Sequence, residues 1–328
     1  MSVIFSRAPL RISLGGGGTD LPSYYEEFGG FVVAGAIDKY VYMLTHTAFQ
    51  QRYRMKYSHF EEVDDIGEIR HPILREALQK HWRGNPLEIA SVADVPAGTG
   101  MGSSGAFTVC LLKGLAQARS TAITAGALAE SACEIEIEIL REPVGKQDQY
   151  VASHGGICAY TFRPDGGVEV EPLELSQETL RRLRDHLLLF YTGDARSASA
   201  ILSDQDNRSR SGDAVMLANL HRTKEMGHES RELLLRGNLE DFASLMHDHW
   251  EQKRQRSGGM TNDRIDKLYA TSRDTGVIGG KLVGAGGGGF LLVYAPHPEE
   301  TREAMHSAGA PELPFSFEFT GAYALEYA

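Results

Sequence analysis

The stretch VPAGTGMGSSGA, Val95 to Ala106, holds four glycines and two serines within a dozen residues. A packed core does not accept that much backbone freedom; glycine is used where a chain takes positive φ or lets a ligand come close. From Gly102 to Gln117 the apolar residues recur at helical spacing, so the loop opens directly onto a helix N-terminus. Free N–H groups and the positive end of the helix dipole make such a junction an anion site, and a phosphate is its natural occupant.

Two more clusters repeat the feature, LGGGGTD (Leu14 to Asp20) and GAGGGG (Gly284 to Gly289), each at the end of a predicted strand. Together the three suggest distant backbone segments converging on one ligand. The common nucleotide motifs do not fit them. GMGSSG (Gly100 to Gly105) matches G-x-G-x-x-G, yet Pro96 stops a strand from running into the glycines, and the following region reads as helix where a ribose-binding strand end is needed. GGKL (Gly279 to Leu282) is not a Walker A motif, because leucine stands where Ser or Thr should reach the metal.

The 328 residues suffice for one large or two ordinary domains, and a formal charge of −11 argues against a nucleic-acid or anionic-membrane partner. An anionic ligand must therefore be held by local groups. Cys110, Cys133 and Cys158 form neither a zinc motif nor a disulfide framework, which suits a reducing cytoplasm. The N-terminus lacks the apolar run of a signal peptide, and no segment reaches the ~18 apolar residues of a membrane span.

Residues 3–14 read as a strand and Phe31 to Ala48 as two strands broken near Asp38. HPILREALQKHW (His71 to Trp82) is a predicted helix, PLEIASVAD (Pro86 to Asp94) a strand, and Thr124 to Glu142 a long helix ended by Pro143 and Gly145. Gly155 to Leu173 is a hairpin around PDGG. Beyond residue 180 one strand (HLLLFYTG) precedes long helical segments over 197–275. Strand character returns at 279–296 and 313–325. The class is α+β with two domains, 1–180 and 181–328, the second a set of helices packed on a small sheet.

Three ordered motifs, APLRISLGGGGTDL (Ala8 to Leu21), PAGTGMGSSGA (Pro96 to Ala106) and KLVGAGGGGF (Lys281 to Phe290), give the whole chain a strong resemblance to the GHMP kinases. Within that superfamily, GGGGTDLPSYYEEFGG, EPVGKQDQY and FYTGDARSAS resemble most the sugar 1-kinases that act on D-glycero-α-D-manno-heptose 7-phosphate, with fucokinase the next neighbour. The resemblance implies a β-rich N-terminal domain with a left-handed-type βαβ phosphate loop and a helix-rich, ferredoxin-like C-terminal domain. It implies ATP and Mg²⁺ as cofactors, a sugar phosphate as partner, and a role in nucleotide-heptose and surface-polysaccharide supply. L-fucose or another hexose as acceptor, or a non-catalytic sugar sensor on the same scaffold, are the alternatives, and a homodimer is left open.

By the same resemblance, Pro96, Gly98, Gly100, Met101, Gly102, Ser103, Ser104 and Gly105 wrap the ATP phosphates. Ser104 and Glu136 hold Mg²⁺, with helix capping the competing role for the serines. Glu134, Glu136, Glu138 and Glu142 cannot all point inward from one helix, because i and i+2 lie on different faces. Asp148 and Arg11 are the expected catalytic pair; a neighbouring guanidinium favours the ionised form of a carboxylate and stabilises charge developing on a phosphoryl group. The pair is otherwise a structural ion pair, and whether Asp148 takes the proton or orients the hydroxyl is open.

Gly17, Gly18, Thr19, Asp20, Lys146, Asp148, Arg196, Gly286 and Gly287 are expected at the acceptor. Asp20 suits sugar hydroxyls because a carboxylate accepts two hydrogen bonds, its competing role being the cap of the next helix. Where galactokinase has Gly-Glu-His-Thr-Asp this chain has GGGTD, Gly16 to Asp20, which leaves a roomier pocket. Lys39, Lys146, Arg196 and Lys253 are the candidates for a second phosphate. His247 and His249 read as surface histidines, and LRRLRD and DNRSRS as solvated faces.

Overall fold

A computed structural model describes residues 2–193 and 199–327. Eight strands form the larger sheet: β1 (Val3–Gly15), β2 (Gly30–Thr47), β3 (Tyr53–Lys56), β4 (Phe60–Val63), β5 (Leu87–Ala93), β6 (Ile157–Phe162), β7 (Val168–Pro172) and β11 (Tyr323–Tyr327). The order runs β11-β1-β2-β5-β3-β4, and β6 and β7 continue from the other half of β2. The smaller antiparallel sheet is β8 (Leu187–Tyr191), β10 (Phe290–Tyr294) and β9 (Gly279–Leu282) in that order.

The helices of the first half are α1 (Pro22–Phe28), α2 (Pro72–His81), α3 (Ser103–Ala118), α4 (Ala125–Cys133) and α5 (Gln147–His154). The second half adds α6 (Gln177–His186), α7 (Ser199–Arg210), α8 (Ala214–Arg236), α9 (Leu239–Arg254), α10 (Asp263–Asp274) and α11 (Pro298–Ser307). No described helix is long and apolar enough to cross a membrane.

β1 alternates buried and half-buried residues at its start and is continuously buried from Ala8 onward, and α3, α5 and α8 pack against the strand. The apolar run of β2 is one strand of 18 residues, where two were expected. Pro9 pairs with Tyr40 but Leu10 with Ile37, so a bulge absorbs Asp38 and Lys39. Pro9 has no N–H to give the ladder, which is why the register slips there. The freed Asp38 N–H is bonded to the Ser316 carbonyl at 2.9 Å.

Two further departures bear on the site. The expected helix from Thr124 to Glu142 ends its α-winding at Cys133; Glu134–Ile139 forms a wider π turn, closed by the Leu140 N–H on the Ile135 carbonyl at 3.0 Å. The period-two EIEIEI stretch cannot present one apolar stripe at 3.6 residues per turn, and the wider turn buries Ile135 and Glu136 together. The last strand was expected in the small sheet; β11 instead pairs with β1, Val3 opposite Tyr327, so the chain's end rejoins the N-terminal sheet across the division expected near residue 180. The three cysteines are buried and free.

Candidate active site

A cleft of about 770 Å³ is lined from both halves of the chain. Pro96, Gly98, Gly100, Gly102, Ser103 and Ser104 form one wall. Gly98, Gly100 and Gly102 have φ of 78°, 79° and 75°, the left-handed region that a side chain makes costly. Gly102 is the residue before α3, and no side chain caps that helix. The first-turn N–H groups therefore face the cleft, and the Ser103 hydroxyl is buried there with no partner among the described residues. The Ser104 hydroxyl donates to Glu136 Oε2 at 2.5 Å, so neither serine has the capping role. Met101 and Gly105, expected on the nucleotide, do not line the cleft. Met101 is fully buried with its carbonyl on the Arg11 N–H, and Gly105 lies so close to Asp148 that an added Cβ would sit 2.7 Å from the Asp148 Cβ.

Arg11 on β1 and Asp148 at the start of α5 meet beneath this loop. Arg11 Nε and Nη2 lie 2.7 and 2.6 Å from Asp148 Oδ1, and Nη1 donates to the Gly100 carbonyl at 2.5 Å. Arg11 is buried while Asp148 keeps 25% of its side chain accessible. Oδ2 has no protein donor among the described residues, so it is the oxygen offered to the cleft.

The Glu136 carboxylate is buried by the π turn and held by Ser104 and by Gln149 Nε2 at 3.0 Å. Burial pushes its pKa up; the hydrogen bonds from Ser104 and Gln149 oppose this and the charge of Asp148 adds to it. A hydroxyl and a buried carboxylate beside a phosphate loop form a donor set suited to Mg²⁺, which takes one or two protein oxygens and fills its shell with phosphate and water. Among the described residues no group of three or more His, Cys, Asp or Glu side chains is arranged to hold a metal.

Gly17, Gly18 and Asp20 line the opposite part of the cleft. Asp20 is not the cap of α1, which begins after Leu21 without a side-chain cap. Its Oδ1 accepts from the Gly18 N–H at 3.0 Å and Oδ2 from the Gln147 N–H at 3.2 Å. Burial and then the charge of Asp148 push its carboxyl above the usual range, against those two N–H groups. Thr19, expected on the sugar, is fully buried with its hydroxyl among Gly16 O, Phe31 O and Phe31 N, and braces the loop from behind.

Other acceptor expectations are corrected. Lys146 turns away: its ammonium lies 3.2 and 3.1 Å from the Glu130 oxygens and 2.8 Å from Gly166 O, because the turn before α5 directs it to the β6–β7 hairpin. Lys146→Met should leave acceptor KM within about twofold, because its ammonium does not line the cleft, while lowering Tm by a few degrees in thermal unfolding, since the buried lysine's hydrogen-bond partners lose their donor. Lys39 bonds to Asp38 at 2.8 Å and does not line the cleft. Gly286 and Gly287 pack on Met260, whose carbonyl takes the Gly287 N–H at 2.9 Å; the cleft is lined instead by Gly284 and Ala285. Arg196 lies outside the described residues.

Several cleft residues were not anticipated. Tyr57, Ile73, Val92, Val95 and Phe107 form an apolar end with His71, whose ring stacks on Phe107 at 4.9 Å between centroids. They come from α2, β5, α3 and the loops after β3 and β5, so no local pattern marks them. His249 is not a surface histidine: it is 3% exposed and lines the cleft with Lys253, Arg256 and Lys281. Lys253 was a candidate for a second phosphate; Lys281 opened the third glycine-rich motif without a role of its own, and Arg256 was not singled out.

Comparison with known proteins gives the site its context. The family models for the GHMP kinases N terminal domain and the GHMP kinases C terminal match residues 71–156 and 230–310. The D-glycero-alpha-D-manno-heptose 7-phosphate kinase of Campylobacter jejuni is 28% identical over 307 residues, 90% of each chain. The bifunctional fucokinase/GDP-fucose pyrophosphorylase of Arabidopsis thaliana is 27% identical over 318 residues; 90% of this chain matches, spanning 30% of that longer protein. A crystal structure of a D-glycero-D-manno-heptose 1-phosphate kinase from Bacteroides thetaiotaomicron superposes with a TM-score of 0.82 at 22% identity, covering 99% of both chains, and shows the shared fold. With both family domains matched in order and the three glycine-rich segments joined around one cleft, this chain belongs to the GHMP kinase family.

Proposed function

We propose that the protein transfers the terminal phosphoryl group of ATP to the anomeric hydroxyl of D-glycero-α-D-manno-heptose 7-phosphate, giving the 1,7-bisphosphate. The observation that carries this reading is the Arg11–Asp148 pair held under the phosphate loop, with Asp148 Oδ2 free on the side where Asp20 waits. The loop N–H groups and the Ser103 hydroxyl hold the phosphate oxygens, and the apolar end around Phe107 takes the base. Asp20 accepts sugar hydroxyls and sets the ring so that its anomeric hydroxyl meets Asp148 Oδ2, which accepts the proton as the new P–O bond forms. Arg11 keeps Asp148 in place and offsets charge on the group in flight. Ser104 and Glu136 would hold Mg²⁺, which would supply positive charge against the phosphate oxygens. The choice of a heptose phosphate rests on the Campylobacter relative and on the open GGGTD loop. Fucokinase relatives favour L-fucose as the second reading.

ADP release over a panel of free and phosphorylated sugars, with phosphorus NMR of the product, tests the proposal. Turnover of the heptose 7-phosphate with a new anomeric phosphate is expected; fast turnover of fucose beside none of the heptose phosphate sinks it. Glu136→Gln should raise the Mg²⁺ concentration for half-maximal rate by about 10- to 100-fold. Because burial raises the Glu136 pKa, lowering the pH protonates it earlier than an ordinary carboxylate. Apparent Mg²⁺ affinity of the native protein should therefore fall on acidification, and magnesium titrations of the Gln variant should lose that dependence.

A further inference from the structure

We infer that Lys281, Lys253 and Arg256 form a subsite for a phosphate carried by the acceptor itself, separate from the loop that holds the triphosphate. The inference rests on the sugar-phosphate reading above. Lys281, Lys253 and Arg256 are 3%, 7% and 3% exposed, line the cleft, and make no ion pair with any described carboxylate. Lys281 Nζ has one hydrogen-bond partner among the described residues, His249 Nδ1 at 3.4 Å. Lys253 Nζ donates to the Leu282 carbonyl at 3.0 Å and to that of Gly284. Arg256 reaches Asn219 Oδ1 at 3.0 Å, Thr223 Oγ1 at 2.8 Å, Gln205 Oε1 at 3.4 Å and Gly17 O at 3.2 Å. An ammonium has three donors and a guanidinium five, so each of the three cations keeps at least one N–H with no protein acceptor.

Burying unpaired cations is costly, and proteins retain them where a ligand supplies the opposite charge. The carboxylates that line the cleft are engaged elsewhere. Asp148 holds Arg11, Asp94 takes the Tyr40 N–H at 2.9 Å, and Asp20, whose charge reaches Arg256 without forming an ion pair, takes the backbone N–H groups of Gly18 and Gln147. Burial, with the charges of Arg11 and Arg256, draws the Lys281 pKa down to about 7, the signature of a cation group lacking its anion. The location distinguishes this anion from the ATP phosphates. Arg256 is anchored on the Gly17–Gly18 loop beside Asp20, on the acceptor part of the cleft, with Lys281 and His249 from β9 and α9; Lys253, bonded to the carbonyl of Gly284 that packs on Gly100, marks the border with the triphosphate loop. A phosphate monoester on the acceptor's far end fits this place, and an unphosphorylated sugar would leave the charges bare.

The test uses the full chain saturated with Mg²⁺ and a non-hydrolysable ATP analogue, so that the loop is filled, and titrates inorganic phosphate by calorimetry. The native protein should bind phosphate in that state, Lys281→Met at least ~10-fold more weakly, and Lys281→Arg near normally. Lys281→Met should unfold at an equal or higher temperature, since it removes a lone buried charge, which separates lost binding from lost folding. Lys281→Met should also raise KM for the 7-phosphorylated heptose while leaving KM for the free heptose and for ATP unchanged. No phosphate binding by the analogue-loaded native protein, equal binding by Lys281→Met, or binding only when the analogue is absent would each overturn the inference; the last would assign the cluster to the triphosphate. Phosphate binding without any turnover of the heptose 7-phosphate would leave the subsite standing and remove the substrate reading instead.

Discussion

Asp148→Asn should fold, bind ATP as the native protein does, and turn over about 10²- to 10⁴-fold more slowly, the contribution expected of a positioned proton acceptor. The amide keeps the shape of the carboxylate, and its oxygen can still accept from the Arg11 guanidinium that now meets Asp148 Oδ1 at 2.7 and 2.6 Å. Its NH₂ then faces the acceptor, where it donates a hydrogen bond and takes no proton. Thermal unfolding and titration of an ATP analogue separate this effect from loss of structure, and steady-state kinetics give the size. Turnover within a few-fold of the native rate would remove Asp148 from the proton path and leave the pair as a structural tie.

Gly284→Val tests how the third glycine segment works. Gly284 has φ of 76°, and a Cβ there would collide with the backbone of Gly100. Backbone cannot yield as a side chain does, so the phosphate loop must shift; Gly100 also holds Arg11 through its carbonyl, so the catalytic pair shifts with it. Displacement of about 1 Å at such a site costs roughly 10² in rate. A valine at positive φ costs about 1–3 kcal/mol in stability. We therefore expect kcat/KM for ATP to drop about 100-fold with a clear fall in Tm. Gly126→Ala is the control: a Cβ there meets nothing within 4 Å, and alanine is the better helix former. If Gly284→Val kept native kinetics, the contact between the two glycine loops would not be what sets the phosphate site.

The phosphate loop was legible because its signal is local. Positive φ at Gly98, Gly100 and Gly102 and the start of α3 at Ser103 depend on a dozen adjacent residues whose conformational preferences agree. Arg11, Asp20 and Asp148 were legible only through the family resemblance, since nothing in their own neighbourhoods says that a strand, a loop and a helix will meet. Lys146 shows the limit of that transfer. It sits two residues from Asp148, but successive residues entering a helix point in different directions, and Lys146 found Glu130 while Asp148 found Arg11. Gly286 and Gly287 failed for a related reason: glycines mark close approach without saying to what, and here the neighbour is Met260.

Alternation, helical spacing and turn chemistry, all properties of neighbours along the chain, were enough to establish most strands and helices, the glycine loops and the α+β class. They also carried the family motifs. Which charges share the cleft was settled only when the second half closed on the first. The pairing of β11 with β1, the bulge at Asp38 and Lys39, the π turn that sinks Glu136, and the joining of His249, Lys253, Arg256 and Lys281 all depend on contacts between residues far apart in sequence. Burial and long-range pairing are properties of the packed chain, and a lysine destined for a buried anion site has the same local preferences as one that stays in water.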